Sequence, residues 1–164
     1  MIILGIDPGL ATTGFGVIKK EKGILSAIDY GVIRTPAKTE LASRLKLISA
    51  DLKSIIKKYK PEATAIEKLF FAKNVKTALD VGQARGVALL EIMNAGLSPY
   101  EFTPLQVKQA ITGYGRADKQ QIQKMVQTIL KLKNIPKPDD AADALAIAIT
   151  LANTFAINKC RDRF

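Results

Sequence analysis

The first 34 residues carry the apolar pattern of consecutive β-strands. Residues 2–7 are a short, β-branched apolar run that stops at Pro8-Gly9, as a buried strand does. Two further strands are predicted over 14–20 and 24–34, with a hairpin-like turn at Glu21-Lys22-Gly23 between them. The chain is therefore expected to begin with three strands.

From Thr39 the apolar residues recur every three or four positions, which is typical of amphipathic helices. The first helix is predicted to end before Pro61. A second long helix is predicted over 74–95, capped by Asn74, and its glycines would let another backbone approach closely. The apolar face of that helix consists of Val75, Ala78, Leu79, Gly82, Gly86, Leu89 and Met93.

The remaining elements alternate in a way that predicts an α/β fold. Three leading strands, then alternating helices and strands, then helices predict a mixed sheet with helices packed on it. No repeat or linker divides the chain, so we expect a single domain over 1–157 and a polar tail over 158–164. The other predicted strands are 63–67 and 99–102, and the other predicted helices are 104–111, 119–132 and 139–155.

The composition of the chain bears on where the protein works and on what kind of partner it binds. The 164 residues suit one domain with its own core, and Cys160 is the single cysteine, which predicts a reducing, cytoplasmic protein. We find no membrane-length apolar run and no secretory leader pattern. The formal net charge of +10 favours a polyanionic partner, although a solvated basic surface would be the better explanation of an unlocalised excess.

The positive charge is concentrated in the stretch 104–137. There it is opposed by Asp118 alone, so a nucleic acid becomes the better interpretation if an active site requires one. The basic residues of this stretch are Lys108, Arg116, Lys119, Lys124, Lys131, Lys133 and Lys137.

Four acidic residues stand at the edges of apolar elements. Asp7 ends the first strand, and Glu67 ends the strand 63–67. Asp140 and Asp143 begin the least polar helix, and their spacing of three places both side chains on one side of it. Neighbouring strand ends and a helix start packed beside them would bring these acids together.

Each acid also has a purely structural interpretation. Asp7 before Pro-Gly is a common turn starter, and Glu67 beside a lysine suits a solvated strand end. Asp139 and Asp140 follow a proline and suit helix capping, which we accept for Asp139. Asp143 is harder to explain in this way, because an aspartate inside an apolar helix needs a partner or a cation.

A carboxylate cluster of this kind predicts a metal site. Two carboxylates about 4 Å apart repel by roughly 4 kcal/mol at an effective dielectric of about 20, so the cluster requires protons or cations. The chain has no histidine, and oxygen ligands favour Mg²⁺ or Mn²⁺ over zinc. Two such ions can hold the attacking water and the leaving oxygen of a phosphodiester.

Four segments with these acids resemble the RuvC family, the bacterial Holliday-junction resolvases. The resemblance covers about residues 1–152, with the segments in family order, and it implies a ribonuclease H-like fold with a five-stranded mixed sheet and helices on both faces. The four segments are IDPGLATTGFGVI, AIEKLFFAKNVKTALDVGQARGVALL, VKQAITGYGRADKQQIQ and DDAADALAIAI.

The resemblance implies roles for individual residues. Asp7, Glu67, Asp140 and Asp143 correspond to the catalytic metal-binding acids, with two Mg²⁺ per site and Mn²⁺ as a substitute. It further implies a homodimer that cuts two symmetric strands of a four-way junction, leaves 5′-phosphate ends and works with RuvA–RuvB. Lys108 and Lys119 correspond to lysines near the scissile phosphate, and Phe70 to an aromatic residue at the junction centre.

Further basic residues are candidate DNA contacts. Lys73, Lys76, Arg85 and Arg116 can reach phosphates, although a solvated helix face explains the first three equally well. Without the resemblance, Phe70 and its neighbour Phe71 would both be expected in the core. An exposed ring at position 70 would instead stack on an unpaired base.

Two other functions share some of these features. Actin-like ATPases and kinases also begin with a strand, an acid and a glycine turn, but they need two lobes, for which 164 residues leave no room. A basic junction-binding protein whose acids only cap helices is the non-enzymatic alternative. Replacement of Asp7 by Asn distinguishes that alternative from a nuclease.

Overall fold

The centre of the molecule is a five-stranded mixed sheet. The structure is a computed structural model that describes residues 1–68 and 75–161, and the side chains of 75–77 and 156–161 lie outside that description. The strand order is β3-β2-β1-β4-β5, with β1 antiparallel to β2 and parallel to β4. The strands are β1 (Ile2–Asp7), β2 (Thr12–Glu21), β3 (Ile24–Arg34), β4 (Ala63–Glu67) and β5 (Pro99–Phe102).

Helices cover both faces of this sheet. One face packs against α5, with α3 and α4 beside it, and the other face packs against α1 and α2. The predicted five-stranded mixed sheet with helices on both faces is thus confirmed. Among the helices described, none has the length and hydropathy needed to cross a membrane. The helices are α1 (Leu41–Tyr59), α2 (Val75–Asn94), α3 (Pro104–Thr112), α4 (Lys119–Ile129) and α5 (Asp139–Arg161).

Several predicted boundaries differ from the structure. β2 begins at Thr12 because that residue still pairs with Arg34 in the antiparallel ladder. α4 ends at Ile129 rather than at position 132, and Lys131 adopts a left-handed backbone conformation with φ of 52°. α5 continues to Arg161, because no glycine or proline interrupts residues 156–161.

The apolar face predicted for α2 is not the face that packs inside the chain. Ala84, Ala88 and Ile92 are fully or almost fully buried on the side of the sheet that also carries α1. Leu79 and Met93, which we expected to pack, are 62% and 57% exposed within the chain. Two small alanines therefore let α2 pack close to α1, with Ile92 in the same core, while Leu79 and Met93 face outward.

Glycines in β1 and β2 allow α5 to lie directly on the sheet. A β-carbon at Gly14 would overlap the carbonyl group of Asp140, and one at Gly5 would overlap that of Ala144. Gly14 stands opposite Asp7 in the antiparallel register. The first turn of α5 is therefore placed beside the carboxyl end of β1.

Candidate active site

Asp7 is the last residue of β1, and the turn that follows it is held by other side chains. The Thr13 hydroxyl donates to the Gly9 carbonyl at 2.7 Å and accepts from the Gly9 amide at 3.4 Å. The Thr35 hydroxyl donates to the Leu10 carbonyl at 2.6 Å. Thr13 thus supplies the turn bond that the structural interpretation assigned to Asp7.

The four predicted acids converge at one edge of the sheet. Glu67 ends β4, which runs parallel to β1, and the first turns of α5 bring Asp140 and Asp143 to the same place. Burial, followed by the charges of Glu67, Asp143 and Asp140, raises the pKa of Asp7 to about 8. All three other acids therefore act on Asp7, as expected of a cluster.

The pKa values of Glu67 and Asp143 are raised as well. Burial and then the charge of Asp143 raise the pKa of Glu67, against a hydrogen bond from Asp7 that lowers it. Burial also raises the pKa of Asp143, against the opposing effect of Lys119. At neutral pH the pair Asp7 and Glu67 therefore retains a proton, and a hard divalent cation would relieve the same repulsion.

A retained proton and the Lys119 ammonium offset part of the negative charge of the cluster. Within residues 1–68 and 75–161, no three acidic, histidine or cysteine side chains are already arranged to hold a metal ion together. Asp7 is hydrogen-bonded to Glu67, and the Lys119 ammonium lies 3.4 Å from an Asp143 oxygen. The donor set is nevertheless the all-carboxylate set that Mg²⁺ or Mn²⁺ prefers.

Lys119 links α4 to α5 at the edge of this cluster. Its ammonium lies 3.2 Å from Asp139, whose carboxylate also accepts a 2.9 Å hydrogen bond from Gln123. Burial lowers the pKa of Lys119, but Asp143 and Asp139 raise it by more, so the net shift is upward. Asp139 lies in the first turn of α5, where its charge complements the helix dipole as predicted. The first helical amide bonds go to the Pro138 carbonyl, and the Asp139 carboxylate accepts from Gln123 of α4.

Lys108 and Lys119 both line one cavity. The cavity measures about 250 Å³ and lies between the acid cluster and the helices α3, α4 and α5. Its polar rim combines both lysines with two of the acids, and its floor is apolar. The lining residues are Glu67, Pro104, Val107, Lys108, Lys119, Ile122, Asp143, Ala146 and Ile147.

The other predicted DNA-contact residues lie in different environments. Arg116 is exposed in the turn between α3 and α4. The Arg85 guanidinium instead contacts the Glu67 carbonyl and the Glu101 carboxylate, so its position is explained without DNA. The predictions for Phe70, Phe71, Lys73 and Asn74 fall outside the described residues, as does the side chain of Lys76.

The sequence interpretation missed residues that support the site rather than form it. Gly14 and Gly16 lie two apart on one strand, and such a Gly-x-Gly spacing in β2 signals that another element packs closely on that face. The contacts of Arg85 and Gln123 join residues that are 16 or more positions apart in sequence. No local pattern in the sequence indicates those pairings.

Comparisons with known proteins identify the family. The family profile described as Crossover junction endodeoxyribonuclease RuvC matches residues 3–151. A protein of that description from Halothermothrix orenii is 57% identical over 159 residues, which cover 97% of this chain and 96% of the relative. One from Heliobacterium modesticaldum is 58% identical over 154 residues, which cover 94% and 95% respectively.

Solved structures agree with these sequence relationships. T. thermophilus RuvC in complex with Holliday junction substrate matches with a TM-score of 0.91 and 36% identity, over 96% of each chain. The yeast mitochondrial Holliday junction resolvase Ydc2 has a TM-score of 0.69 over 99% of this chain and 84% of its own, and its 13% identity supports the fold alone. The ribonuclease H-like fold class is thus confirmed. The chain belongs to the RuvC family of crossover junction endodeoxyribonucleases.

Proposed function

We propose that this protein resolves four-way DNA junctions by hydrolysing one phosphodiester bond in each of two symmetric strands. The observation that carries the proposal is the convergence of four carboxylates at the carboxyl ends of β1 and β4. Two lysines from different helices face the same cavity. Family membership supports DNA junctions as the substrate.

The proposed cofactor is a pair of Mg²⁺ ions, for which Mn²⁺ can substitute. The residues that would hold them are Asp7, Glu67, Asp140 and Asp143, whose mutual repulsion adds to burial in raising the pKa of Asp7 to about 8. When bound, such ions make a nucleophile from water and stabilise the attacking and leaving oxygens. The acids themselves orient the ions and become fully ionised as the ions bind.

Lys108 and Lys119 are proposed to act on the phosphoryl group. Both line the cavity that also contains Glu67 and Asp143. A lysine ammonium held beside the scissile phosphate stabilises the charge that develops on its oxygens. The contacts of Lys119 with Asp139 and Asp143 hold that ammonium at the rim of the cavity in the DNA-free protein.

The remaining DNA contacts are proposed for basic residues outside the lining of this cavity. Arg116 is exposed between α3 and α4, and Lys73 and Lys76 lie close in sequence to Glu67. Phosphate contacts by such residues position the junction without reading its sequence. Phe70 is proposed to stack on an unpaired base at the junction centre, so Phe70→Ala should impair cutting more than folding.

A homodimer is proposed because α2 presents an unburied apolar face. Leu79, Leu90 and Met93 are 62%, 57% and 57% exposed, and their spacing places them on one side of the helix. Gly86 lies on the same side, and a β-carbon added there would meet no heavy atom of another element within 4 Å. A two-fold dimer through this face would place one active site on each of two symmetric strands.

The cellular context of the proposal rests on the family and the substrate. RuvA–RuvB is the proposed branch-migration partner, and the products are proposed to be nicked duplexes with 5′-phosphate ends. The cytoplasm is the proposed location, because the substrate is chromosomal DNA and the chain has a single cysteine.

The direct test is cleavage of a synthetic mobile four-way junction with Mg²⁺, with linear duplex of the same sequence as the control. The proposal expects paired nicks in the junction and little cutting of the duplex. Equal cutting of both substrates would contradict the proposed selectivity for junctions. Tight binding without any cutting would instead favour the non-enzymatic junction-binding protein.

A further inference from the structure

Arg85 joins three elements of the fold directly behind the acid cluster. From α2, its Nε donates to the main-chain carbonyl of Glu67 at 3.1 Å. Its terminal guanidinium nitrogen forms a 2.5 Å ion pair with Glu101 of β5. The Arg85 side chain is only 17% exposed, whereas that of Glu101 is 40% exposed.

The contacted carbonyl belongs to the last residue of β4. The Lys68 amide donates to the Phe102 carbonyl at 2.8 Å, which continues the pairing of β4 with β5 just past Glu67. Arg85 adds a side-chain donor at the same point, where the chain leaves the sheet. The backbone that sets the direction of the Glu67 carboxylate is therefore fixed from the strand and from α2.

Arginine suits this role because its guanidinium is a rigid fork with several donors. Nε bonds the Glu67 carbonyl while a terminal nitrogen pairs with Glu101, and a lysine ammonium could not reproduce this fixed geometry. Glu101 in turn neutralises the arginine and holds it in place. Glu101 also offsets the charge with which Arg85 would attract a DNA phosphate.

We propose that Arg85, with Glu101, is a positioning residue that holds the carboxyl end of β4 so that Glu67 faces Asp7 and Asp143. The inference rests on the proposed function, because it concerns how Glu67 is presented to a metal. Residues that orient metal-ligating carboxylates act through the ligand and not through the substrate. Their loss weakens metal binding and cleavage together.

The test uses Arg85→Gln, Arg85→Lys and Glu101→Gln in the full chain. Loss of a supporting contact of this kind typically costs about 10- to 100-fold in metal affinity or activity. We expect Arg85→Gln to need about that much more Mn²⁺ for half-maximal junction cutting, with part of the rate restored at high Mn²⁺. Calorimetric titration of Mn²⁺ into the DNA-free protein should show the same shift, and junction binding in EDTA should be unchanged.

Matched controls separate positioning from a general loss of charge. Lys53→Gln removes an exposed cation from α1, and Glu21→Gln breaks an exposed ion pair with Lys19 at the β2–β3 hairpin. Neither control should change the Mn²⁺ requirement. If Arg85→Gln does not fold, the test uses Arg85→Lys and Glu101→Gln. Both should raise the Mn²⁺ requirement, by a smaller factor.

Two results would overturn the inference. One is an unchanged Mn²⁺ requirement in folded variants at both positions. The other is weaker junction binding in EDTA for the Arg85 variants alone, which would make Arg85 a DNA contact. Asp7→Asn separates this failure from that of the proposed function, because that variant must lose cutting whatever Arg85 does.

Discussion

Gly14 lies so close to the start of α5 that a β-carbon at this position would overlap the main-chain carbonyl of Asp140. Gly14 is also the register partner of Asp7. One glycine therefore sets the spacing between the first acid of the cluster and the helix that supplies two others. The geometry of the site therefore depends on residues that have no reactive side chain.

We predict that Gly14→Ala lowers junction cutting by about 100-fold, because a misplacement of about 1 Å near reacting groups can cost that much. α5 must shift away from β2 to admit the methyl group, and it moves Asp140 and Asp143 with it. Steady-state cleavage of a four-way junction at saturating Mg²⁺ measures the effect. Gly23→Asn is the matched control, since this turn residue has φ of 84° and no heavy atom within 4 Å of an added β-carbon. Normal cutting by Gly14→Ala would show that the close contact is not required.

The raised pKa of Asp7 predicts a pH-dependent stability in the metal-free protein. Burial, then Glu67, Asp143 and Asp140, raise the pKa to about 8, whereas an aspartate in the unfolded chain ionises near pH 4. Between about pH 4 and 8 the folded state therefore holds a proton that the unfolded state has lost. The free energy of unfolding should fall as the pH rises through this window.

Asp7→Asn should remove most of that dependence. In EDTA, its Tm should exceed that of the wild type at pH 8 by at least about 2 °C, the shift that 1 kcal/mol produces in a chain of this size. The difference should vanish near pH 4. Mg²⁺ should raise the Tm of the wild type more than that of the variant. Parallel Tm curves for the two proteins from pH 4 to 8 would contradict the assignment.

Lys119 is predicted to act in the chemical step. Lys119→Gln should reduce the cleavage rate by about 10²- to 10³-fold, as loss of a transition-state donor does, with a much smaller effect on junction binding. Lys124→Gln, at an exposed position of the same helix, should cut at close to the normal rate. Single-turnover kinetics with binding measured in Ca²⁺ separates the two effects. A loss confined to binding would make Lys119 an ordinary phosphate contact.

The exposed face of α2 predicts a dimer that a single charge disrupts. Leu90→Asp or Met93→Asp should convert the protein to a monomer in light scattering, because an unpaired carboxylate would be buried between copies. Ile24→Asp is the control, since Ile24 is 61% exposed on the β2–β3 hairpin, away from α2. A wild-type protein that is monomeric at micromolar concentration would contradict the proposed dimer interface.

Sequence patterns predicted the helices and strands well, but they predicted poorly which faces of these elements pack closely together. The periodicity around Ile48 and Leu52 indicated α1, and Pro61 marked its end, because these are local properties of the chain. The apolar pattern of α2 pointed to the face of Leu79 and Met93, which is exposed within the chain, whereas alanines on another face are buried. The close packing of α2 on α1 uses small residues, and hydrophobicity alone does not predict which face of a helix makes such a contact.

The acids could be found from sequence because each one interrupts an apolar element. Asp7 and Glu67 end buried strands, and Asp143 lies within an apolar helix, so each is costly without a partner. The supporting contacts could not be found in this way. Arg85 meets Glu67 only because α2 packs beside β4, and that arrangement is a tertiary property.

The central claim is that the acid cluster is a catalytic metal site, and Asp7→Asn tests it most directly. Cutting and binding of the same synthetic four-way junction should be measured for the wild type and the variant, with cutting in Mg²⁺ and binding in Ca²⁺ or EDTA. We predict that the variant loses cutting and keeps wild-type affinity for the junction. Cutting by Asp7→Asn at the wild-type rate would contradict the metal-site assignment.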